Sequence, residues 1–360
     1  MRELEIRGRT AIGPAREAYV VAEIGTNHNR SLTTATALIH ALAGTGCDCV
    51  KFQIYEPDEI VSAGIRAADY GLDAQYGDIS AQEMFERHLK TPKEWFPRLR
   101  DLCHELGMDC AATIHGANGL SWALESKPDL IKIASMDHNN LPLLGSLVNV
   151  VGVPLLVSVG MAGLRDIDAA VEATRRHAPG VGLFHCCALY PAEPAELRLS
   201  NIPLLLERYS VPVGFSDHAL GAAPALQARA AGAMMFEKHV TLDRTQPGPD
   251  HGFAMEMQPF TAYVAALKET RRTDVAATAP FLDPVERELE DRTQYVKSII
   301  TRRPLGAGHV LTLDDVYLAR PGSGIAPDRL PRVVGRIVVR PISAETPLQW
   351  DDLASDPGQA

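Results

Sequence analysis

Eight short apolar runs, rich in β-branched residues and each ending in polar side chains, constrain the fold of this chain more tightly than any other feature. They are VVAEI (20–24), CVKFQ (49–53), CAATI (110–114), LIKIAS (130–135), PLLVSV (154–159), GLFHC (182–186), PVGFS (212–216) and MMFEKHV (234–240). Amphipathic stretches lie between them, such as SLTTATALIHALAGTG (31–46), PKEWFPRLRDLCHELG (92–107) and LRDIDAAVEATRRHA (164–178), several with glycine near the end as a stop signal. Continuous apolar strands alternating with helices imply parallel pairing, buried on both faces. Eight such units in about 250 residues are the number that closes a (β/α)8 TIM barrel. An open doubly wound sheet is the alternative within the α/β class. It is disfavoured because EIGTNHN follows the first run, where a dinucleotide fold carries its glycine fingerprint.

Two regions fall outside this cycle. Residues 54–91 are too long for an ordinary loop and in a barrel would lie beside the mouth as a lid or substrate wall. After residue 273 a charged segment, DPVERELEDRTQ, leads to the short strand-like pieces KSIITR, RIVVRPI and PLQW, set apart by Pro and Gly turns. The organisation expected is a barrel over 1–273, a linker over 274–294 and a small β-rich domain over 295–360.

Composition narrows the partners. A formal charge of -10 argues against a general nucleic-acid binder, while leaving room for a local basic pocket. The six cysteines mostly sit in apolar runs without paired CxxC spacing, and are read as reduced, buried thiols. The opening MRELEIRGRT has no apolar signal region, and no stretch approaches the ~20 apolar residues of a membrane span. A cytoplasmic protein with no membrane partner is the expectation.

Barrel enzymes carry their chemistry on the C-terminal ends of the strands. Here those ends supply Glu23, with Asn27 and His28 beyond it, then Lys51 and Gln53, Thr113, and Lys132, Ser135 and Asp137. The later strands supply Ser158, His185 with Tyr190 beyond it, Ser216 with Asp217 and His218, and Glu237, Lys238 and His239. Any one of these has an ordinary structural reading, as a paired core lysine, a satisfied interior histidine or a turn cap. Eight strands agreeing weakens that reading, because so many buried polar groups are costly unless they converge on a ligand or on one another. His218 and His239 follow adjacent strands, so both imidazoles can face one divalent ion, leaving positions for water and a substrate oxygen. Lys51 and Lys132, with the hydroxyls of Thr113, Ser135, Ser158 and Ser216, suit a ligand dense in acceptor oxygens, such as one bearing phosphate and carboxylate. A Schiff-base aldolase would use one such lysine as nucleophile, but needs no metal pair.

The motifs EIGTNHN (23–29), VKFQ (50–53), IKIAS (131–135), VSVGM (157–161), HCCALYP (185–191), VGFSDH (213–218), EKHVTLDR (237–244) and PGPDH (247–251) resemble the sialic acid synthases. The similarity runs from about residue 18 to the end, and the tail resembles that family's antifreeze-like (SAF) domain. The resemblance implies condensation of phosphoenolpyruvate with an open-chain N-acylated hexosamine, at Mn2+ or a similar ion (Mg2+, Co2+), giving a nine-carbon 2-keto-3-deoxy acid and phosphate. It implies that His218 and His239 hold the metal. Lys51, Thr113, Lys132, Ser135, Ser158, Tyr190 and Ser216 would hold phosphoenolpyruvate, and Glu23 would stand near metal and water. Gln53, Asp137 and Asp250 match sugar-contacting positions, and Arg320 in ARPGSG matches an arginine that the tail of one subunit extends into its partner in a domain-swapped homodimer. Departures gather on the sugar side. ATIHG, with His115, stands where Thr-Pro-aromatic is usual, SMDHNN, with Met136, Asp137 and His138, replaces Ser-Gly-Glu, Ala188 replaces a polar residue, and Arg30 follows NHN in place of glycine. An acceptor other than plain N-acetylmannosamine is therefore expected, such as a diamino-trideoxy hexose of the legionaminic or pseudaminic kind or the sugar of a specialised metabolite. The non-enzymatic alternative is a carbohydrate-binding relative that has lost turnover.

Overall fold

The computed structural model describes residues 1–272, 276, 277 and 279–354; Thr273, Asp274, Val275 and Thr278, around the expected start of the linker, and the closing residues 355–360 of the expected tail domain lie outside it. The chain opens with a hairpin, β1 (Leu4–Ile6) against β2 (Arg9–Ile12). Eight parallel strands follow: β3 (Tyr19–Glu23), β4 (Cys49–Gln53), β5 (Asp109–Thr113), β6 (Leu130–Ile133), β7 (Leu155–Ser158), β8 (Val181–Cys186), β9 (Val213–Asp217) and β10 (Met235–Thr241). Neighbours in sequence pair in order, and β10 pairs with both β9 and β3, which closes the barrel. A helix follows each barrel strand, from Leu32–Leu42 after β3 to Met257–Glu269 after β10.

Side chains alternate across a strand, and here the alternation separates packing from chemistry. Outward residues such as Val20, Val50, Ala112, Ile131, Val157, Phe215 and Phe236 pack against the helices through Leu38, Leu99, Leu144, Ile167, Leu205 and Val264. Inward residues change character along each strand. At the bottom Tyr19, Val21, Cys49, Ala111, Leu130, Leu156, Phe184 and Met235 form an apolar plug, which Leu4, Ile6 and Ile12 of the hairpin cover from below. Two residues further along each strand the series turns polar, with Glu23, Lys51, Thr113, Lys132, Ser158 and Glu237 facing the cavity. Phe184 fills so much of the interior that a Cβ on Gly214 would stand 2.7 Å from its ring.

Residues 54–91 fold into short helical turns over a small apolar cluster of Tyr55, Ile60, Val61 and Ala81, making a wall beside the mouth. In the tail, β11 (Ser298–Thr301) pairs antiparallel with β12 (Val316–Ala319) over a separate core that includes Ile299, Leu311, Val333, Val338 and Leu348. This domain docks on the wall. The Arg320 amide donates to the Ile60 carbonyl at 3.0 Å, and the Ser62 amide donates to the Arg320 carbonyl at 3.0 Å.

Candidate active site

A cavity of about 390 Å³ opens at the C-terminal end of the barrel. On its floor two buried lysines and two buried carboxylates neutralise one another. Lys51 Nζ lies 2.9 Å from Glu23 Oε2 and 3.4 Å from Glu237 Oε2, and donates to Thr113 Oγ1 at 2.8 Å. Lys132 Nζ donates to Ser158 Oγ at 2.5 Å and lies 3.6 Å from Glu237 Oε1, which accepts from Ser216 Oγ at 2.9 Å. Gln53 Nε2 donates to Glu23 Oε1 at 2.7 Å, fixing that carboxylate against β4. Burial disfavours the ammonium of Lys51, but Glu23 and Glu237 outweigh it and raise its pKa; at Lys132 burial prevails over Glu237 and lowers it. An anionic ligand entering this cradle finds two cations and several hydroxyls already fixed by packing.

The imidazoles of His218 and His239 face each other above the floor, ring centroids 5.7 Å apart. Burial, reinforced by His239, pulls the pKa of His218 down to about 3. Its Nδ1 donates to the Cys187 carbonyl at 2.9 Å, which leaves Nε2 with a free lone pair, the form a metal ligand requires. His239 Nδ1 is buried without a hydrogen-bond partner, with Asp250 Oδ2 3.5 Å away. Such a donor set fits a first-row divalent ion. Among the described residues no three His, Cys, Asp or Glu side chains are gathered into a ready-made ligand set, so an ion held by this pair would have positions left over for water and substrate. Tyr190 covers His218 at 4.1 Å between ring centroids, and Phe253 lies 5.0 Å from His239. Gly25, with φ +54°, lets the strand end turn beneath Asp250, whose Oδ2 would lie 2.9 Å from a Cβ there.

Of the residues expected from sequence, Glu23, Lys51, Gln53, Thr113, Lys132, Ser135, Ser158, Tyr190, Ser216, His218, His239, Asp250 and Arg320 all line this one cavity. Asp137 does not. Its carboxylate is fully buried behind the wall, 2.6 Å from Lys297 Nζ of the tail and 2.6 Å from His115 Nδ1, so it is unavailable to a sugar. Burial alone would raise its pKa, but Lys297 and then His115 bring it down to about 2. His138 is buried away from the cavity with Nδ1 on the Ser135 carbonyl, and Arg30 stands outside, 3.8 Å from Glu86. His115, Met136 and Ala188 do line the cavity. Arg320 is carried into it by the tail of this chain, with Nη1 3.3 Å from the Tyr70 hydroxyl and the guanidinium over the Tyr295 ring at 5.2 Å. The segment before the tail runs along the barrel. The Leu282 amide donates to Asn201 Oδ1 at 2.8 Å, and Glu288 Oε1 accepts from the amides of Ala188 at 2.7 Å and Met161 at 3.2 Å.

Several lining residues were not read from sequence: Tyr55, Tyr70 and Phe85 of the wall, Phe253, and Tyr295. Glu237 was noted at its strand end without a role; its spacing of two from His239 on β10 already placed it inward.

The comparisons with known proteins bear on this arrangement. The NeuB family model matches residues 38–277, and that of the SAF domain matches 296–354. The chain belongs to the NeuB family. It is 29% identical to the N,N'-diacetyllegionaminic acid synthase of Legionella pneumophila over 97% of this chain and 98% of that protein. It is 30% identical to the spore coat polysaccharide biosynthesis protein SpsE of Bacillus subtilis, over 98% of each. The crystal structure of SpsE superposes on 99% of this chain and 100% of its own with a TM-score of 0.83 and 28% identity. Among the described residues no helix is long and apolar enough to cross a membrane.

Proposed function

We propose that this NeuB-family enzyme condenses phosphoenolpyruvate with the open-chain aldehyde of an N-acylated hexosamine, giving a nine-carbon 2-keto-3-deoxy acid and phosphate, with a divalent ion held by His218 and His239. The convergence of two lysines and four hydroxyls beneath the paired imidazoles of His218 and His239, in a single cavity, carries this reading. A bound ion, Mn2+ in the first instance with Mg2+ or Co2+ as substitutes, would polarise the acceptor carbonyl. The chain's own residues do the rest. Lys51, Lys132 and the hydroxyls of Thr113, Ser135, Ser158 and Ser216 hold the phosphate and carboxylate, exchanging their present contacts with Glu23 and Glu237 for ligand oxygens. The methylene of phosphoenolpyruvate attacks the aldehyde carbon, leaving positive charge at C2, which the neighbouring carboxylates Glu23 and Glu237 stabilise. Water adds at C2 and gives up a proton to Glu23, whose carboxylate Gln53 fixes, while the former aldehyde oxygen takes up a proton to become the product hydroxyl. The tetrahedral adduct then expels phosphate into the same cradle.

A second acceptor class has support of its own. The wall contributes the apolar Leu72, Met84, Phe85 and Leu89 to the cavity lining, which suits a methyl group in place of a hydroxymethyl. The test is phosphate release from phosphoenolpyruvate by purified protein with Mn2+, offering N-acetylmannosamine and 2,4-diacetamido-2,4,6-trideoxymannose side by side, with mass spectrometry of the product. Release with either sugar that stops on chelation and returns with Mn2+ is the expected result. No release with any hexosamine would leave a carbohydrate-binding relative, and turnover that survives chelation but is trapped by borohydride would mean a Schiff-base aldolase.

A further inference from the structure

Two polar groups that line the cavity lack protein partners. The Tyr55 hydroxyl is buried without a hydrogen bond, although Tyr55 lines the cavity. His115 lines it too, its ring edge-on to Tyr55 with centroids 5.6 Å apart and an interplanar angle of 81°. Its Nδ1 is committed to Asp137 Oδ2 at 2.6 Å. Its Nε2 makes no hydrogen bond within the described residues. Asp137 is itself held from the other side by Lys297, whose Nζ is 2.6 Å from Oδ1 and also donates to the His115 carbonyl at 2.6 Å. A carboxylate against Nδ1 keeps the proton on that nitrogen, so the other nitrogen presents a lone pair. Unpartnered polar groups in a buried pocket are costly unless a ligand satisfies them.

We infer that His115 and Tyr55 form an acceptor-sugar subsite, in which His115 Nε2 accepts a hydrogen bond from an amide N–H or hydroxyl of the sugar, and that Asp137, clamped by Lys297 of the tail domain, is the positioning residue that sets the tautomer. This rests on the proposed condensation and extends it to a specificity determinant. Sugars lacking a donor at that point are discriminated against because they leave the imidazole unpaired, a kind of penalty worth about 1–3 kcal/mol, or roughly five- to 150-fold.

The experiment uses the full-length protein with Mn2+, measuring KM and kcat for phosphoenolpyruvate and for the two sugars named above. His115→Phe is expected to raise the KM of the better sugar about tenfold or more with the phosphoenolpyruvate KM little changed. His115→Gln, which restores an acceptor, should recover part of the loss. Asp137→Asn, able to donate to Nδ1 and so reverse the tautomer, should also raise the sugar KM while leaving the phosphoenolpyruvate KM alone. Melting curves on each variant separate this from loss of fold. If the His115→Phe protein folds poorly, the His115→Gln protein and a Tyr55→Phe variant carry the same comparison. Turnover by the unaltered enzyme, with sugar KM unmoved in the folded variants, overturns the inference alone. Absence of turnover by the unaltered enzyme with either sugar overturns the condensation and this inference together.

Discussion

Asp137 is a carboxylate without access to water, and its charge survives there because two partners share it. Its pKa, brought down to about 2 by Lys297 and His115 against the pull of burial, lies below that of an exposed aspartate. A depressed folded-state value contributes stability that is present above the unfolded value, near 4, and is lost as pH falls toward 2. The contribution is roughly 2 kcal/mol. Denaturant melts of the unaltered protein and of Asp137→Asn should therefore differ most at pH 5 and above, and the gap should narrow between about pH 4 and pH 2. A gap that stays constant across that range would mean the carboxylate is not held by charge. At this scale the site was largely legible, because barrel geometry sends every polar strand end to one mouth. Asp137 was misplaced because its shorter side chain is engaged by Lys297, a residue 160 positions away whose approach no local pattern announces. Tyr55 was missed because it lies in a segment without periodicity, where neither spacing nor motif assigns a direction. The metal pair makes a second prediction at this scale. His218→Asn and His239→Asn should each reduce phosphate release by at least about a hundredfold, leaving the melting temperature of the metal-free protein nearly unchanged, because the two imidazoles pack at the open end and not in the apolar plug.

The barrel strands were readable as elements because each is a continuous apolar run long enough to stand out, and their observed limits fall within about two residues of the expected ones. The opening hairpin was not, since β1 has three residues and β2 four, too short for an apolar run to register. Its signal was of another kind. Arg7 and Gly8 both have positive φ, at 49° and 75°, and join Ile6 to Arg9 in the two-residue turn that a right-handed strand twist favours. The hairpin carries Leu4 and Ile6 under the barrel, and Arg9 is anchored 2.6 Å from the buried carboxylate of Asp109. Ile6→Ala would open a cavity against the plug and cost about 2–5 kcal/mol. Thermal melts should show the loss as a drop of several degrees, while KM for phosphoenolpyruvate should not move, because the bottom of the barrel and the cradle are separated by the plug itself. A variant that lost phosphoenolpyruvate affinity without melting earlier would contradict this separation of stability from chemistry.

For the whole molecule, the mouth of the cavity is assembled from three regions: the barrel strands, the wall of residues 54–91, and the tail that brings Tyr295 and Arg320. The resemblance in sequence implies that an arginine enters the mouth from the tail of a second subunit; within one chain the tail brings Arg320 to the mouth of its own barrel, and the same contacts form whether a tail closes its own barrel or another's. Backbone pairing of Arg320 with Ile60 and Ser62 does not involve its side chain, so Arg320→Met should leave the domains docked and the melting curve unchanged while raising the acceptor KM. Lys297 adds a side-chain contact to this docking, wholly buried against Asp137. Removing either partner leaves a buried charge without its counterpart, at a cost of about 3–5 kcal/mol, whereas removing both leaves none. Lys297→Met and Asp137→Asn should each destabilise the full chain strongly, and the double variant should be more stable than the sum of the two losses predicts, by about 1–3 kcal/mol. Additive losses in denaturant melts would show that tail and barrel are held together by their backbone contacts alone, and that the carboxylate which orients His115 owes nothing to the tail.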